Sequence, residues 1–190
     1  MSDIRIAVLV GSLRNDSFNG QLARAMAKLA PDGLVLEQVR FDDLPHYNQD
    51  DDGRPTEPVR RFKTQLAAAQ GVVFVTPEYN RSIPGVLKNA IDHGSRPYGQ
   101  SVWAGKPAGV LGISVGAMGT SMAQQHLRNI LAYLDMPTLG QPEVYLQQKH
   151  GFFTDAGDIA ADDTKQFLQK WLETYAARVR EHNDRTIVKT

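Results

Sequence analysis

Apolar runs alternate along the chain with segments in which apolar residues recur at helical spacing. The runs cover residues 4–10, 34–41, 71–76 and 107–115, with a weaker fifth run at residues 142–147. Val and Ile dominate the first, third and fourth runs, which is typical of parallel strands buried on both faces. We therefore predict four strands, and a fifth with less support.

Each apolar run is followed by an amphipathic pattern that predicts a helix. The first such pattern is formed by Phe18, Leu22, Met26 and Leu29, and the last includes Trp171 and Tyr175. The resulting βαβαβαβαβα order predicts an α/β fold, a flavodoxin-like doubly wound five-stranded parallel sheet with helices on both faces. We expect a single domain over residues 1–190, with a polar tail from about residue 184.

Composition and charge exclude several classes of function. The 190 residues include 21 Lys and Arg and 21 Asp and Glu, so the formal net charge is zero and no basic surface for nucleic acid is expected. The chain has no cysteine, which excludes disulfides, thiolate catalysis and thiolate metal sites. The five histidines lack metal-ligand spacing, so no metal site is expected. The first apolar run is too short for a signal peptide or membrane span, so we expect a cytoplasmic protein without a membrane partner.

Ligands of doubly wound sheets bind at the carboxyl ends of the strands, where the strand order reverses. The loop after the first strand combines Ser12, Arg14, Ser17 and Asn19 at a helix start. Backbone N–H groups at a helix N-terminus accept anions, and these side chains add donors, so the loop suits a phosphate monoester. The alternative is that Ser17 is only a helix cap and Arg14 a solvated side chain.

The loop after the third strand, residues 76–85, contains two prolines and one glycine. Such a loop holds backbone donors and acceptors at fixed angles, which could match the edge of a planar heterocycle, and Tyr79 could flank its ring. The alternative is a rigid connector in which Ser82 caps the helix that begins near Pro84.

The loop after the fourth strand is rich in glycine, which allows a flat ligand to approach the backbone closely. Residues 112–116 also match G-x-S-x-G, the nucleophile elbow of α/β-hydrolases. A small serine hydrolase would use Ser114 with Glu143 or Asp155 and with His150 or His182. The chain leaves little room for the usual hydrolase sheet, so this is the weaker hypothesis.

Taken together, the three loops resemble the family of NAD(P)H-dependent FMN reductases, including its quinone- and chromate-reducing members. The resemblance is carried by residues 11–14 with 17–19, by residues 77–80 with Ser82, Pro84 and Gly85, and by residues 87–92, 104–107 and 114–119. It extends from the first strand to about Val179. It implies a flavodoxin-like fold, noncovalently bound FMN, and a homodimer or homotetramer.

The resemblance also implies roles for individual residues. Ser12, Arg14, Ser17 and Asn19 would hold the FMN phosphate, the segment 77–80 would line the isoalloxazine ring, and the residues after the fourth strand would hold the ring from the other side. The implied cofactor-binding set is Ser12, Leu13, Arg14, Ser17, Phe18, Asn19, Pro77, Glu78, Tyr79, Asn80, Ser82, Ser114, Gly116, Ala117 and Gly119. Two residues depart from the family pattern: Thr120 replaces a glycine found in many members, and Arg81 an aromatic residue found in some.

The implied reaction passes a hydride from NADPH or NADH through FMN to a quinone, an azo compound or chromate. No side chain is then needed as a catalytic nucleophile, because the flavin carries the chemistry. An electron carrier like flavodoxin, with no nicotinamide turnover, is an alternative on the same fold. Flavodoxins are usually strongly acidic, whereas this chain is neutral.

Overall fold

The computed structural model describes residues 3–187 of the chain. Its strands are β1 (Ile4–Val10), β2 (Leu34–Gln38), β3 (Gly71–Val75), β4 (Ala108–Ser114) and β5 (Val144–Gln147). Its α-helices are α1 (Phe18–Leu29), α2 (Glu57–Ala68), α3 (Gly85–Ser95), α4 (Ser121–Tyr133) and α5 (Asp162–Ile187), and a short 3₁₀ helix covers Gln49–Asp51. The alternation of strands and helices predicted from the sequence is confirmed.

The five strands form one parallel sheet in the order β2-β1-β3-β4-β5. This is the flavodoxin-like order, in which the chain moves outwards from β1 in one direction and then crosses back to β3. The switch point therefore lies between β1 and β3, and the loops that follow β1, β3 and β4 leave the same edge of the sheet side by side.

Helices cover both faces of the sheet, which explains why the strands read as continuous apolar runs. Ile6 and Val8 of β1 join one core with α1 and α5, whereas Ala7 and Leu9 join the other with α2, α3 and α4. Trp171 stacks on Tyr175 in the first core, with ring centroids 5.5 Å apart. Each strand thus presents alternate residues to two apolar layers.

The predicted second strand, residues 34–41, is longer than the observed β2, which ends at Gln38. The N–H of Val39 still donates to the Val8 carbonyl at 2.9 Å, but Val39 and Phe41 are buried under the α2–α4 layer instead of continuing the strand. Helix α5 runs through the first residues of the predicted polar tail, as far as Ile187, and the rest of that prediction lies outside the described residues.

The longest helix is fixed to the sheet from its middle. Tyr175 is fully buried, and its hydroxyl oxygen lies 3.0 Å from each of the carbonyl oxygens of Val72 and Pro107, to which it can donate a hydrogen bond. Burial raises the pKa of this phenol far above its ordinary value. Between residues 3 and 187, no helix combines the length and the apolar character that crossing a membrane requires.

Candidate functional site

Three loops meet at the carboxyl edge of the sheet, and we call this region the three-loop edge. It consists of the β1 loop (residues 11–17), the β3 loop (76–84) and the β4 loop (115–120). The N–H of Gly11 donates to the Val75 carbonyl at 2.9 Å, and the N–H of Thr76 donates to the Leu111 carbonyl at 3.0 Å. The sheet hydrogen bonding therefore continues into the loops and holds them next to one another.

The β1 loop ends at a helix N-terminus with free donors. Ser17 is the N-cap of α1, and its Oγ accepts a hydrogen bond from the N–H of Gly20 at 3.1 Å. The N–H groups of Phe18 and Asn19 have no acceptor anywhere in the described chain. The guanidinium of Arg14 lies over the ring of Phe18, 5.2 Å from its centre. Two free N–H groups, a helix dipole and a cation form a site for an anion such as a phosphate.

Asn19 has a structural role that the sequence does not reveal. Its Nδ2 donates to the Ile113 carbonyl at 2.9 Å, and its Oδ1 accepts from the Ile113 N–H at 3.1 Å. The residue is only 3% exposed. Its side chain therefore ties α1 to β4 instead of reaching into the loop as a donor, and what Asn19 offers an anion is its backbone N–H.

The β3 loop is a rigid two-residue turn. Tyr79 and Ser82 exchange backbone hydrogen bonds of 2.9 and 3.0 Å, and Asn80 and Arg81 between them have φ angles of 52° and 66°. Both central residues are thus left-handed, as in a type I′ turn. The hydroxyl of Ser82 lies 3.0 Å from Nδ1 of His126 on α4, so Ser82 contacts α4 and does not cap α3.

The Glu78 side chain joins the β3 loop to α4. Its Oε2 accepts hydrogen bonds from the N–H groups of Met122 at 3.0 Å and Ala123 at 3.2 Å. Its Oε1 lies 3.2 Å from the guanidinium of Arg81. The N-terminus of α4 is therefore already occupied by a carboxylate, whereas that of α1 is open. Of these two helix N-termini, only that of α1 has N–H groups free for an anion.

The β4 loop is packed tightly against β5. Gly119 has a φ of +54°, and a Cβ on it would lie 2.6 Å from the Tyr145 carbonyl carbon. Thr120 is 1% exposed, with φ of 71°, and its Oγ1 accepts a hydrogen bond from Gln124 at 3.0 Å. Its side chain points into the protein, so this departure from glycine does not narrow the approach to the loop.

The three-loop edge does not form a hydrolase elbow. Ser114 is the last residue of β4, six residues short of the helix, and its Oγ accepts a hydrogen bond from the Gly116 N–H at 3.0 Å. The histidine at this edge, His126, is bonded to Ser82 instead. An elbow needs its serine on the sharp turn between strand and helix, with a histidine in reach.

The three-loop edge also exposes apolar side chains. Eight large apolar side chains are exposed in residues 3–185; four of them lie in the three loops and a fifth in the first turn of α4, namely Leu13, Tyr79, Val115, Met118 and Met122. Sequence reasoning missed the last three, although apolar residues within a glycine-rich loop are a usable signal. An anion site bordered by exposed apolar side chains and close-packed backbone fits a ligand with a phosphate and a flat ring, such as FMN.

A cavity of about 610 Å³ lies outside the three-loop edge, between residues 45–56, helix α2 and residues 96–100. Two polar side chains of its lining, Lys63 and His93, already have partners within the protein. Nζ of Lys63 donates to the carbonyls of Arg96 and Gln100, and Nε2 of His93 lies 2.9 Å from the Pro45 carbonyl. Burial lowers the pKa of Lys63. In the described part of the chain, no three His, Asp or Glu side chains come together to hold a metal ion.

Comparisons with known proteins agree with this geometry. The sequence profile of NADPH-dependent FMN reductases matches residues 4–151. A 2-hydroxy-1,4-benzoquinone reductase of Burkholderia sp is 52% identical over 94% of this chain and 97% of its own. A quinone reductase of Pseudomonas putida is 48% identical over 92% of this chain and 94% of its own. The solved structure of FerB, a flavoenzyme NAD(P)H:(acceptor) oxidoreductase from Paracoccus denitrificans, is 40% identical with a TM-score of 0.90, and the match covers 94% of this chain and 98% of FerB.

Proposed function

Because the chain belongs to the family of NADPH-dependent FMN reductases, we propose that its three-loop edge binds FMN and couples NAD(P)H oxidation to quinone reduction. The observation that carries this proposal is the open N-terminus of α1, with free N–H groups at Phe18 and Asn19 beside Arg14. It adjoins exposed apolar side chains on the β3 and β4 loops, as a phosphate joined to a flat ring requires.

Each loop has a separate task in this proposal. Arg14, Ser12, Ser17 and the α1 backbone bind the phosphate, and Leu13 and Phe18 border it. The β3 and β4 loops orient the ring through their backbone and exclude water with their apolar side chains. The proposed ring-binding residues are Pro77, Glu78, Tyr79, Asn80, Ser82, Ser114, Gly116, Ala117 and Gly119. Bound FMN supplies the redox chemistry, accepting a hydride from the nicotinamide and passing two electrons to the acceptor.

The acceptor we propose is a small quinone, with azo compounds and chromate as further candidates. Relatives over nearly the whole chain are named quinone reductases, at 52% and 48% identity. The exposed three-loop edge leaves room for a flat acceptor to follow the nicotinamide at the same place. No catalytic side chain is required in this proposal, because the flavin carries the chemistry.

We further propose that residues 1–190 act as one FMN-binding domain that assembles into a homodimer or homotetramer in the cytoplasm. The exposed Tyr98 and Tyr133, which lie outside the three-loop edge, and the zero net charge both favour self-association. Sedimentation velocity of the FMN-loaded protein measures the assembly, and a monomer at all concentrations would contradict it.

Purified protein supplied with FMN should show a bound-flavin absorption spectrum that bleaches when NADPH or NADH is added without oxygen. Addition of 2-hydroxy-1,4-benzoquinone should then restore the oxidised spectrum. Bound flavin that stays oxidised with both nucleotides would indicate an electron carrier instead of a reductase. If the purified protein does not bind FMN, the proposal is wrong.

The Arg14→Gln variant should bind FMN about 10- to 100-fold more weakly, because it loses a charge-assisted hydrogen bond to phosphate. Riboflavin, which lacks the phosphate, should bind the variant and the parent protein equally. Dissociation constants from flavin fluorescence quenching test both expectations. Arg54→Gln, an equal charge change at an exposed residue outside the three-loop edge, is the matched control and should leave both constants unchanged.

A further inference from the structure

Helix α4 begins without a cap from its own sequence. Its N-cap residue, Thr120, is left-handed and makes no side-chain hydrogen bond to the first turn. The Thr120 hydroxyl is instead buried and accepts from Gln124. The free N–H groups at this helix start need an acceptor from another part of the chain.

Glu78 supplies that acceptor from 44 residues away. One carboxylate oxygen accepts from both Met122 and Ala123, and the other is paired with Arg81. The Glu78 side chain is 12% exposed, whereas that of Arg81 is 72% exposed, so the contacts to α4 are the protected ones. Glu78 is held in turn by the rigid Tyr79–Ser82 turn that follows it.

We propose that Glu78 is a positioning residue that fixes the spacing between the β3 and β4 loops, an inference that rests on the proposed function. Its backbone belongs to the loop on one side of the flavin ring, and its carboxylate anchors the helix that follows the loop on the other side. Apart from this bridge, the two loops are joined through the sheet below them and through the contact of Ser82 Oγ with His126 Nδ1 on α4 at 3.0 Å. Loops that are spaced in advance bind a rigid ring without an ordering cost.

The bridge also places a negative charge beside the ring. Negative charge close to a redox group disfavours its reduction, so Glu78 holds the midpoint potential of bound FMN below the value it would otherwise have. Removal of this carboxylate also leaves the positive end of the α4 dipole and the Arg81 guanidinium without a counter-charge. Spacing and charge are therefore two separable effects of one side chain.

Two variants separate them. Glu78→Ala removes acceptor and charge, so it should weaken FMN and riboflavin by the same factor of about ten, because the ring and not the phosphate is affected. This equality distinguishes it from Arg14→Gln, which weakens FMN alone. Glu78→Gln keeps an oxygen that can accept from both N–H groups, so its affinities should stay within about threefold of the parent. In both variants the midpoint potential, measured by equilibration with reference dyes, should become more positive.

Two controls exclude general destabilisation and long-range charge. Val179→Ala opens a small gap in α5, far from the loops, and should leave affinities and potential unchanged. Asp158→Asn removes one carboxylate charge beside Lys28 in the last turn of α1, at the opposite edge of the sheet, and should leave the potential unchanged. Unchanged flavin affinity in Glu78→Ala, or an unchanged potential in Glu78→Gln, would overturn the inference while leaving the proposed function intact. If Glu78→Ala does not fold, the midpoint potential of FMN bound to Glu78→Gln tests the inference alone.

Discussion

Replacement of Gly112 with alanine will lower the free energy of unfolding by about 3 kcal/mol or more, which is the cost of strong overpacking. It will also weaken FMN binding by a factor of about ten or more. A Cβ at this position would lie 2.2 Å from the Thr76 carbonyl oxygen and 2.3 Å from Thr120 Oγ1. Hydrogen bonds hold both residues in place: the N–H of Thr76 donates to the Leu111 carbonyl at 3.0 Å, and Thr120 Oγ1 accepts from Gln124 at 3.0 Å. The methyl group would therefore force the two proposed ring-binding loops apart. Urea denaturation and flavin fluorescence quenching measure the two effects.

Gly140→Ala is the matched control for this prediction. A Cβ on Gly140 meets no atom within 4 Å, and its φ does not favour glycine, so the substitution should change stability by no more than about 0.5 kcal/mol. Equal stability losses in the two variants would show that close packing at Gly112 is not the cause.

Asn19→Leu should lower the free energy of unfolding by about 2–4 kcal/mol, because it leaves the N–H and the carbonyl of Ile113 without their side-chain partners. Leucine has the same branching as asparagine and is bulkier, so the substitution leaves no cavity, and the loss combines the two hydrogen bonds with crowding of the methyl groups against Ile113. Since α1 would no longer be tied to β4, FMN affinity should fall as well. Chemical denaturation and flavin titration of the same preparation provide the measurements.

Asn129→Leu makes the same chemical change on the exposed surface of α4. Its stability should stay within about 0.5 kcal/mol of the parent protein. A similar small change in Asn19→Leu would mean that water replaces the two hydrogen bonds and that the clamp contributes little.

The sheet could be predicted because strands that are buried on both faces consist of continuous runs of apolar residues. Every residue of β3 is buried, and the apolar run at 71–76 shows it directly. The end of β2 was predicted wrongly because Val39 and Phe41 are apolar for another reason, their burial under α2–α4 after the strand has ended. An apolar run marks what is buried, and it does not say which backbone hydrogen bonds continue.

The proposed site could be predicted only where its chemistry is local. Ser17 lies directly before the helix that it caps, and Arg14 lies three residues earlier, so the proposed anion site at α1 could be predicted from one short segment. The partners of Asn19 and Glu78 lie 94 and 44 residues away, and no local pattern records such distances. Which residues contact FMN stays a prediction until the variants are measured.

The packing of Gly119 against Tyr145 has a consequence for the order of events during synthesis. The β4 loop is translated before β5, yet its close contact is with the β5 backbone, and Gln124 at the start of α4 donates to the Val144 carbonyl. On the ribosome, the β4 loop therefore lacks this packing support until β5 has been synthesised. In the proposed site, FMN binding should therefore follow the pairing of Val144–Gln147 with β4, and a nascent chain stalled before β5 should bind FMN more weakly than the full chain.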